Sequence, residues 1–323
     1  MSFWKDKKTL VTGGHGFVGH AVLKELKKLG CKQIITPKKN ECDLTIESNV
    51  KDLFSSTKPE IVIHLAGKVG GILANKTMPA EFFYKNLMIG TLVLEYARLN
   101  NVKRLVALAA GCGYPKHLQV PYKESDFWKE LPDENSIGYS MAKKMLIIQS
   151  WTYREQYGFN SSILLPANLY GPYDNFHLRN SHVVPALIRK FVEAVENNEK
   201  EVVVWGSGKA SREFLYVGDT AKSILKIAEY FNESGPLNLG TGVETTIGEL
   251  VRLLVSLTGY NGNVVWDNTK PDGQPRRYYD MSLYRENIGS VPNTPIDTGL
   301  KETIQWYRLN RKQLIESERL VQK

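Results

Sequence analysis

Short apolar runs alternate with longer amphipathic segments through the first half of the chain. Apolar runs predict buried strands at residues 8–11, 33–36, 60–66, 104–108 and 162–165. Helical periodicity follows some of these strands, at about residues 21–26, 80–100 and 139–157. Alternating strands and helices indicate an α/β fold built on a doubly wound parallel sheet of the Rossmann type.

The alternation of predicted strands and helices becomes less regular beyond Pro172, where Asn, Gly and Pro become more frequent. We therefore predict a dinucleotide-binding Rossmann domain over residues 1–170, with a returning segment at about 208–231. Residues 171–323 would form mainly a smaller C-terminal substrate lobe. The charged segment from Lys301 onward predicts a solvated amphipathic helix. A length of 323 residues agrees with two lobes.

Composition narrows the classes of function. The formal charge of +8 suits an anionic partner, but the lysines are scattered and no zinc-finger spacing occurs, which argues against nucleic acid. The three cysteines form no CxxC pair, so neither a disulfide framework nor a metal site is indicated. No run approaches the ~18 apolar residues of a membrane span, and the N-terminus lacks an apolar signal core. These features predict a cytoplasmic protein that does not associate with membranes.

A glycine-rich turn follows the first predicted strand and opens a helical pattern. Glycines in this position permit a tight turn and let the helix N-terminus face a pyrophosphate, so the arrangement predicts dinucleotide binding. The expected cofactor contacts in this turn are Gly13, Gly14, His15, Gly16, Phe17, Val18 and Gly19.

The end of the second strand indicates which dinucleotide binds. NAD sites usually carry an acidic residue here for the ribose 2′-hydroxyl, whereas this chain carries Lys38 and Lys39. Two cations suit a 2′-phosphate, so NADP(H) is the predicted cofactor; the alternative is a basic surface loop. Asp43 follows at a position that often contacts the adenine.

Tyr139 and Lys143 lie four residues apart in a helical pattern. This spacing places both side chains on one helical face. A tyrosine has an ordinary pKa of ~10, and a nearby ammonium is expected to move that pKa toward neutrality. The pair could then exchange a proton with a sugar oxygen while a nicotinamide moves a hydride. The alternative is a solvated surface pair.

Longer strings resemble the GDP-L-fucose synthase family of extended short-chain dehydrogenases/reductases. The resemblance covers nearly the whole chain, and its clearest strings are residues 68–72 (KVGGI), 86–89 (NLMI), 168–172 (NLYGP), 180–183 (NSHV), 185–191 (PALIRKF), 204–208 (VWGSG), 212–214 (REF) and 269–273 (TKPDG). Members of that family epimerise C3 and C5 of GDP-4-keto-6-deoxymannose and then reduce C4 with NADPH. The resemblance therefore implies a GDP-linked 4-keto sugar as the substrate.

The resemblance also implies roles for individual residues. Cys112 and His182 would act as base and acid in epimerisation, beside Tyr139 and Lys143. Further cofactor contacts are expected at Leu65, Ala66, Lys143, Asn168, Leu169 and His182. Contacts to GDP or the sugar are expected at Lys190, Trp205, Arg212 and Asp280. The helices beginning near residues 80 and 139 resemble those of a four-helix dimer interface, so a homodimer is expected.

One departure from the family concerns the residues before Tyr114-Pro115. The family has Ser or Thr where this chain has Ala110, and Gly111 and Gly113 flank Cys112. Loss of a hydrogen bond to the C4 oxygen would cost on the order of 1–3 kcal/mol of transition-state stabilisation. These small residues also suggest a roomier pocket that accepts a heptose.

The sequence leaves open two alternatives to reduction of a GDP-4-keto sugar. One is a sugar-nucleotide 4-epimerase or dehydratase, which would keep its cofactor bound and show no net consumption of NADPH. The other is an NADP(H)-binding protein that has lost catalysis through the change at Ala110.

Overall fold

The structure, a computed structural model, describes residues 3–178, 181–233, 235–270 and 272–321. Asn180 and Pro271, which belong to the strings quoted above, lie outside the described residues. The strands are β1 Lys8–Thr12, β2 Gln33–Ile35, β3 Ile61–His64, β4 Arg104–Leu108, β5 Ser161–Pro166, β6 Asn168–Tyr170, β7 Glu201–Trp205, β8 Ser211–Arg212, β9 Phe214–Tyr216, β10 Pro236–Leu239, β11 Thr245–Thr246 and β12 Asn263–Asp267.

The α-helices account for the amphipathic segments. They are α1 Phe17–Lys28, α2 Glu47–Thr57, α3 Ile72–Thr77, α4 Pro79–Leu99, α5 Ile137–Tyr157, α6 Val183–Glu196, α7 Val217–Tyr230, α8 Ile247–Thr258, α9 Ser282–Ile288 and α10 Ile296–Val321. Short 3-10 turns are found at Gly111–Gly113, Glu124–Trp128 and Glu134–Ser136. Among the described residues, no helix combines the length and apolarity needed to cross a bilayer.

The central sheet contains six parallel strands in the order β2-β1-β3-β4-β5-β10. Every residue of β3 and β4 is buried, as expected for interior strands of a parallel sheet covered on both faces. Helix α1 packs against α7, and α4 packs along α5. The predicted doubly wound α/β fold is confirmed. In such sheets, ligands bind at the carboxyl ends of the strands.

A second apolar core lies in the C-terminal part of the chain. It is formed largely by α6, α8 and α10 together with the parallel pair of β7 and β12. Leu300, Ile304 and Tyr307 of α10 are buried in this core. The amphipathic helix predicted from Lys301 onward is present: its apolar face packs on α8 and α6, and most of its described charged positions are exposed.

Two later segments of the chain return to the first core. Strand β10 pairs with β5 as the sixth strand of the central sheet, and Tyr284 of α9 is buried in the first core. The buried carboxylate of Glu213 joins these returns, because it accepts hydrogen bonds from the backbone amides of Thr241, Gly242 and Tyr279. Removal of that carboxylate would leave one buried and two partly buried backbone amides without this acceptor.

Candidate active site

The glycine-rich turn leaves the carboxyl end of β1 and leads into α1. Gly13 has a φ of +72°, and a Cβ there would lie 2.8 Å from the backbone nitrogen of Ala66, so only glycine fits. Gly16, the N-cap of α1, supplies no capping side chain, and the first turn of α1 contains no acidic residue. The first amides of α1 therefore remain available for a phosphate, which fits the predicted dinucleotide.

The loop after β2 contains two lysines with different partners: Lys38 pairs with Glu41, and Lys39 interacts electrostatically with Asp43. Lys38 forms an exposed ion pair of 3.7 Å with Glu41. Lys39 is exposed and makes no hydrogen bond or ion pair within the described ranges. The Asp43 carboxylate accepts hydrogen bonds from the backbone and hydroxyl of Thr45, which hold the pKa of that carboxyl below its usual range. Lys39 is thus the better placed of the two lysines to bind a 2′-phosphate.

Other predicted cofactor residues lie at the same edge of the sheet. The backbone of Leu65 and Ala66, directly after β3, contacts β1 and Gly13, and the Leu65 amide donates to the Thr12 carbonyl at 3.1 Å. The Asn168 side chain donates to the carbonyl of Glu213 at 3.0 Å, and Leu169 pairs with Leu215. These contacts fix the positions of the four residues, and their roles in cofactor binding stay predictions.

Helix α5 places Tyr139 and Lys143 above the carboxyl end of β4. The Lys143 ammonium is buried and donates a hydrogen bond of 3.1 Å to the Leu108 carbonyl. Its Nζ atom lies 6.0 Å from the centroid of the Tyr139 ring, which packs edge-on against Phe82. The predicted juxtaposition of the two side chains is therefore present.

The predicted direction of the Tyr139 pKa was wrong. Burial raises the pKa of the phenol above its ordinary value of 10.0, and the nearby Cys112 adds to this. Burial also lowers the pKa of Lys143 to about 8. The cost of a buried phenolate outweighs the attraction of an ammonium 6.0 Å from the ring centroid. Tyr139 is consequently held as a neutral phenol, which is the form that donates a proton.

Cys112 lies in the 3-10 turn that follows β4 and is partly exposed. The Ser140 hydroxyl lies 3.1 Å from the Cys112 carbonyl and 3.2 Å from its Sγ atom, which fixes the turn against α5. Cys112 interacts electrostatically with both Tyr139 and Lys143. The structure therefore brings three of the four predicted catalytic residues together.

His182 lies apart from this cluster in the contacts that the structure records. It is the N-cap of α6, and its carbonyl accepts the Ala186 amide at 3.1 Å. Its side chain is exposed, yet surrounding protein lowers the pKa of the imidazole by desolvation. In the described part of the chain, no hydrogen bond or ion pair joins His182 to Cys112 or Tyr139.

Cations continue from the Cys112 turn toward the second lobe. Arg277 interacts electrostatically with Cys112, and Arg212 interacts with Arg277. The Arg212 guanidinium is held by the carbonyls of Ser211 and Gln274 at 2.7 and 2.6 Å. A guanidinium fixed in this way suits a diphosphate, so Arg212 is the candidate for that contact.

Two further predicted substrate residues lie together in the second lobe. Lys190 donates to the Val203 carbonyl at 2.9 Å, and its Nζ lies 5.8 Å from the ring of Trp205. Trp205 is 65% exposed, with a second ammonium, that of Lys270, 5.9 Å from its ring, so the ring is accessible to an aromatic base in a cationic setting. A hydrogen bond between Ser207 and Asp272, and another from Arg212 to the Asp272 carbonyl, connect this pair to Arg212.

Asp280 has a different local environment. Its carboxylate accepts the amide of Ser282 at 2.8 Å at the start of α9, and hydrogen bonds from the Ser282 hydroxyl and amide lower the pKa of the carboxyl. Lys123 and Arg285 are its cationic neighbours. These contacts support α9, and a role of Asp280 in substrate binding stays a prediction.

The expected empty space beside Cys112 is not present. A Cβ on Gly111 would lie 1.8 Å from the hydroxyl of Tyr279 and 2.9 Å from Nη2 of Arg277. A Cβ on Gly113 would lie 2.4 Å from the ring of Phe127. The prediction of a roomier pocket at these two glycines was wrong, because side chains distant in the sequence fill the volume.

Sequence reasoning missed Arg277 and Tyr279, which form one wall of the Cys112 site. Neither belongs to a recognised motif, although both follow closely on the quoted string at residues 269–273. The adjacent cations at 276–277 and aromatic residues at 278–279 were the available signal.

Comparisons with known proteins identify the family to which the chain belongs. Residues 9–240 match the NAD dependent epimerase/dehydratase family. A probable GDP-L-fucose synthase 1 from Oryza sativa subsp. japonica is 42% identical over 309 residues, covering 95% of this chain and 94% of the rice protein. The chain belongs to the GDP-L-fucose synthase family. The predicted membership of this extended short-chain dehydrogenase/reductase family is thereby confirmed.

Other members of the family extend the comparison. The GDP-L-fucose synthase of Escherichia coli (strain K12) is 37% identical over 314 residues, covering 94% of this chain and 98% of its own length. The GDP-L-colitose synthase of Yersinia pseudotuberculosis is 34% identical over 307 residues, covering 94% and 99%.

Solved structures of related enzymes have the same fold. A GDP-L-fucose synthetase from Naegleria fowleri bound to NADP superposes with a TM-score of 0.90 at 29% identity, covering 97% of this chain and 96% of its own. A GDP-D-glycero-L-gluco-heptose synthase from Campylobacter jejuni, determined in the presence of NADPH, gives 0.86 at 28% identity, covering 94% and 98%.

Proposed function

We propose that this family member reduces the C4 ketone of a GDP-linked 4-keto-6-deoxyhexose with NADPH, after epimerising C3 and C5. The observation that carries the proposal is the meeting of Tyr139, Lys143 and Cys112 at the carboxyl edge of the sheet, next to a dinucleotide turn. The chain is an NADP-dependent oxidoreductase, and relatives that cover 94–95% of its length act on GDP-linked sugars.

The cofactor is NADP(H), and the chain offers the groups that this dinucleotide needs. The first amides of α1 would hold the pyrophosphate, and Lys39 would hold the 2′-phosphate. Bound NADPH supplies a hydride for the C4 carbon. The structures of related enzymes with NADP or NADPH support this choice.

The proton in the reduction step comes from Tyr139. As C4 becomes tetrahedral, its oxygen gains negative charge and takes the phenolic proton, so a ketone becomes an alcohol. The phenolate left on Tyr139 is stabilised by the ammonium of Lys143, whose position is fixed by the Leu108 carbonyl. Burial keeps the phenol protonated until that moment.

Epimerisation requires a proton to leave and another to return at each carbon beside the ketone. We assign the removal to the Cys112 thiolate and the return, on the opposite face, to His182. The enolate formed in between places its charge on the C4 oxygen, next to Tyr139. The desolvation that lowers the pKa of His182 makes its imidazolium a stronger acid.

The hexose is favoured over a heptose by the packing beside Cys112. The side chains of Tyr279, Arg277 and Phe127 occupy the volume that Gly111 and Gly113 leave open. GDP would lie along Arg212 and Lys190, with its guanine base stacked on Trp205. A second copy of the chain would pack on α4 and α5, where Tyr84 and Leu99 are exposed.

Incubation with GDP-4-keto-6-deoxymannose and NADPH in heavy water tests the proposed function. We expect oxidation of NADPH and a product that carries solvent deuterium at C3 and C5, read by NMR. Reduction without deuterium would remove the epimerase part of the proposal. A strong preference for the corresponding heptose in a parallel assay would contradict the choice of sugar.

Replacing Lys39 by methionine tests the choice of cofactor. We expect the KM for NADPH to rise about tenfold, because the ammonium that binds its 2′-phosphate is removed. The KM for NADH should stay unchanged, because NADH has no 2′-phosphate. Lys38→Met is the matched control, and its ion pair with Glu41 predicts a much smaller effect. Equal effects on both cofactors would show that Lys39 acts only through the shape of its loop.

A further inference from the structure

Tyr279 is firmly fixed at the position that a side chain on residue 111 would otherwise occupy. It is 2% exposed, its hydroxyl donates to the Pro166 carbonyl at 3.1 Å, and its amide donates to Glu213 at 2.8 Å. A Cβ on Gly111 would lie 1.8 Å from that hydroxyl. The ring of Tyr279 therefore forms a rigid support directly beneath the Cys112 turn.

Arg277 contacts Tyr279 and has N–H donors that this contact does not use. Its guanidinium interacts with the Tyr279 hydroxyl and lies beside Cys112. Within the described ranges, its side chain forms no ion pair with a carboxylate. A guanidinium carries five N–H donors, and the side-chain acceptor recorded for Arg277 in the described ranges is the Tyr279 hydroxyl. The neighbouring Arg276, by contrast, is engaged by Glu244 at 2.7 Å.

The chemistry of the proposed substrate identifies an acceptor for these donors. Cys112 acts on the two carbons that flank the C4 ketone. C5 carries the methyl carbon C6 and the weakly accepting ring oxygen, whereas C3 carries a free hydroxyl. Because the C4 oxygen is bound by Tyr139 in the proposed function, the C3 hydroxyl is the remaining good acceptor on the carbons next to Cys112.

We propose that Arg277 donates hydrogen bonds to the C3 hydroxyl of the sugar and makes the enzyme selective for 3-hydroxy over 3-deoxy substrates. Tyr279 is the positioning residue that holds the guanidinium over Gly111. The inference rests on the proposed function, since it places the C4 ketone between Tyr139 and Cys112. A site built to bind a hydroxyl discriminates strongly against an analogue that lacks it.

The test compares two substrates in the full-length enzyme, GDP-4-keto-6-deoxymannose and its 3-deoxy analogue, GDP-4-keto-3,6-dideoxymannose. For Arg277→Met we expect kcat/KM to fall about 10- to 100-fold with the first and less than about threefold with the second. Arg276→Met is the matched control and should leave the preference for the 3-hydroxy substrate intact, because Arg276 is engaged by Glu244.

An equal loss on both substrates would overturn the inference and assign Arg277 to the diphosphate or to the fold. Arg277→Lys should recover part of the preference, since it restores a donor. Tyr279→Phe should weaken the preference by a smaller factor while the Kd for NADPH stays constant, which also shows that the variants fold. If the unaltered enzyme reduces neither substrate, the proposed function itself has failed and the inference falls with it.

Discussion

Tyr139→Phe is expected to lower kcat for C4 reduction by about 10²- to 10⁴-fold, the usual contribution of a general acid. The phenol is the only acid that the described contacts place beside both Lys143 and Cys112. Without its proton, the developing alkoxide at C4 must take a proton from water. NADPH binding should be unchanged, because the dinucleotide turn lies between β1 and α1 and not on α5, and fluorescence titration of NADPH checks this.

Tyr157→Phe is the matched control on the same helix. Tyr157 ends α5 and is 49% exposed, so loss of its hydroxyl should leave kcat within about twofold. A Tyr139→Phe enzyme that keeps most of its kcat would show that another group, or water, delivers the proton. The role proposed for Tyr139 would then be wrong.

Cys112→Ala is expected to slow the exchange of the C3 and C5 protons with solvent and not the transfer of hydride to C4. We expect the incorporation of solvent deuterium at C3 and C5 to fall about 10²- to 10⁴-fold, because the base that removes those protons is gone. Cys112 is partly exposed and lies next to the proposed sugar position, so its removal opens no large cavity in the core. Product NMR after incubation in heavy water gives the measurement.

Cys31→Ala separates a chemical effect from a structural one. Cys31 is buried in the first core, away from the sheet edge that carries Tyr139, and its replacement should affect thermal stability more than exchange. If Cys112→Ala retains full deuterium incorporation, the thiol only lines the pocket, and the base must be sought among other groups.

Local features of the sequence predicted much of the fold and the dinucleotide site. The strand at residues 104–108 and the helix around Tyr139 were predicted close to their observed bounds, because each depends on periodicity within a short window. The glycine turn was similarly readable, since the left-handed φ of Gly13 and its contact with Ala66 are requirements of one tight turn.

Features that depend on distant residues were not predictable in this way. The spacing of Tyr139 and Lys143 gave their juxtaposition but not their burial, and burial decides the direction of both pKa values. Likewise, nothing near Gly111 in the sequence reveals that the side chains of residues 277 and 279 fill its space. Tertiary packing over more than half the chain length determines that wall of the site.

The contact between Gly111 and Tyr279 also constrains how this enzyme can evolve. A lone Gly111→Ser substitution would drive its Cβ into a buried tyrosine, and a lone Tyr279→Leu substitution would leave a void beneath the Cys112 turn. Each single step is costly, whereas the double change exchanges one hydroxyl for another at nearly constant volume. Residues 111 and 279 should therefore be either both kept or both replaced in descendants of this chain.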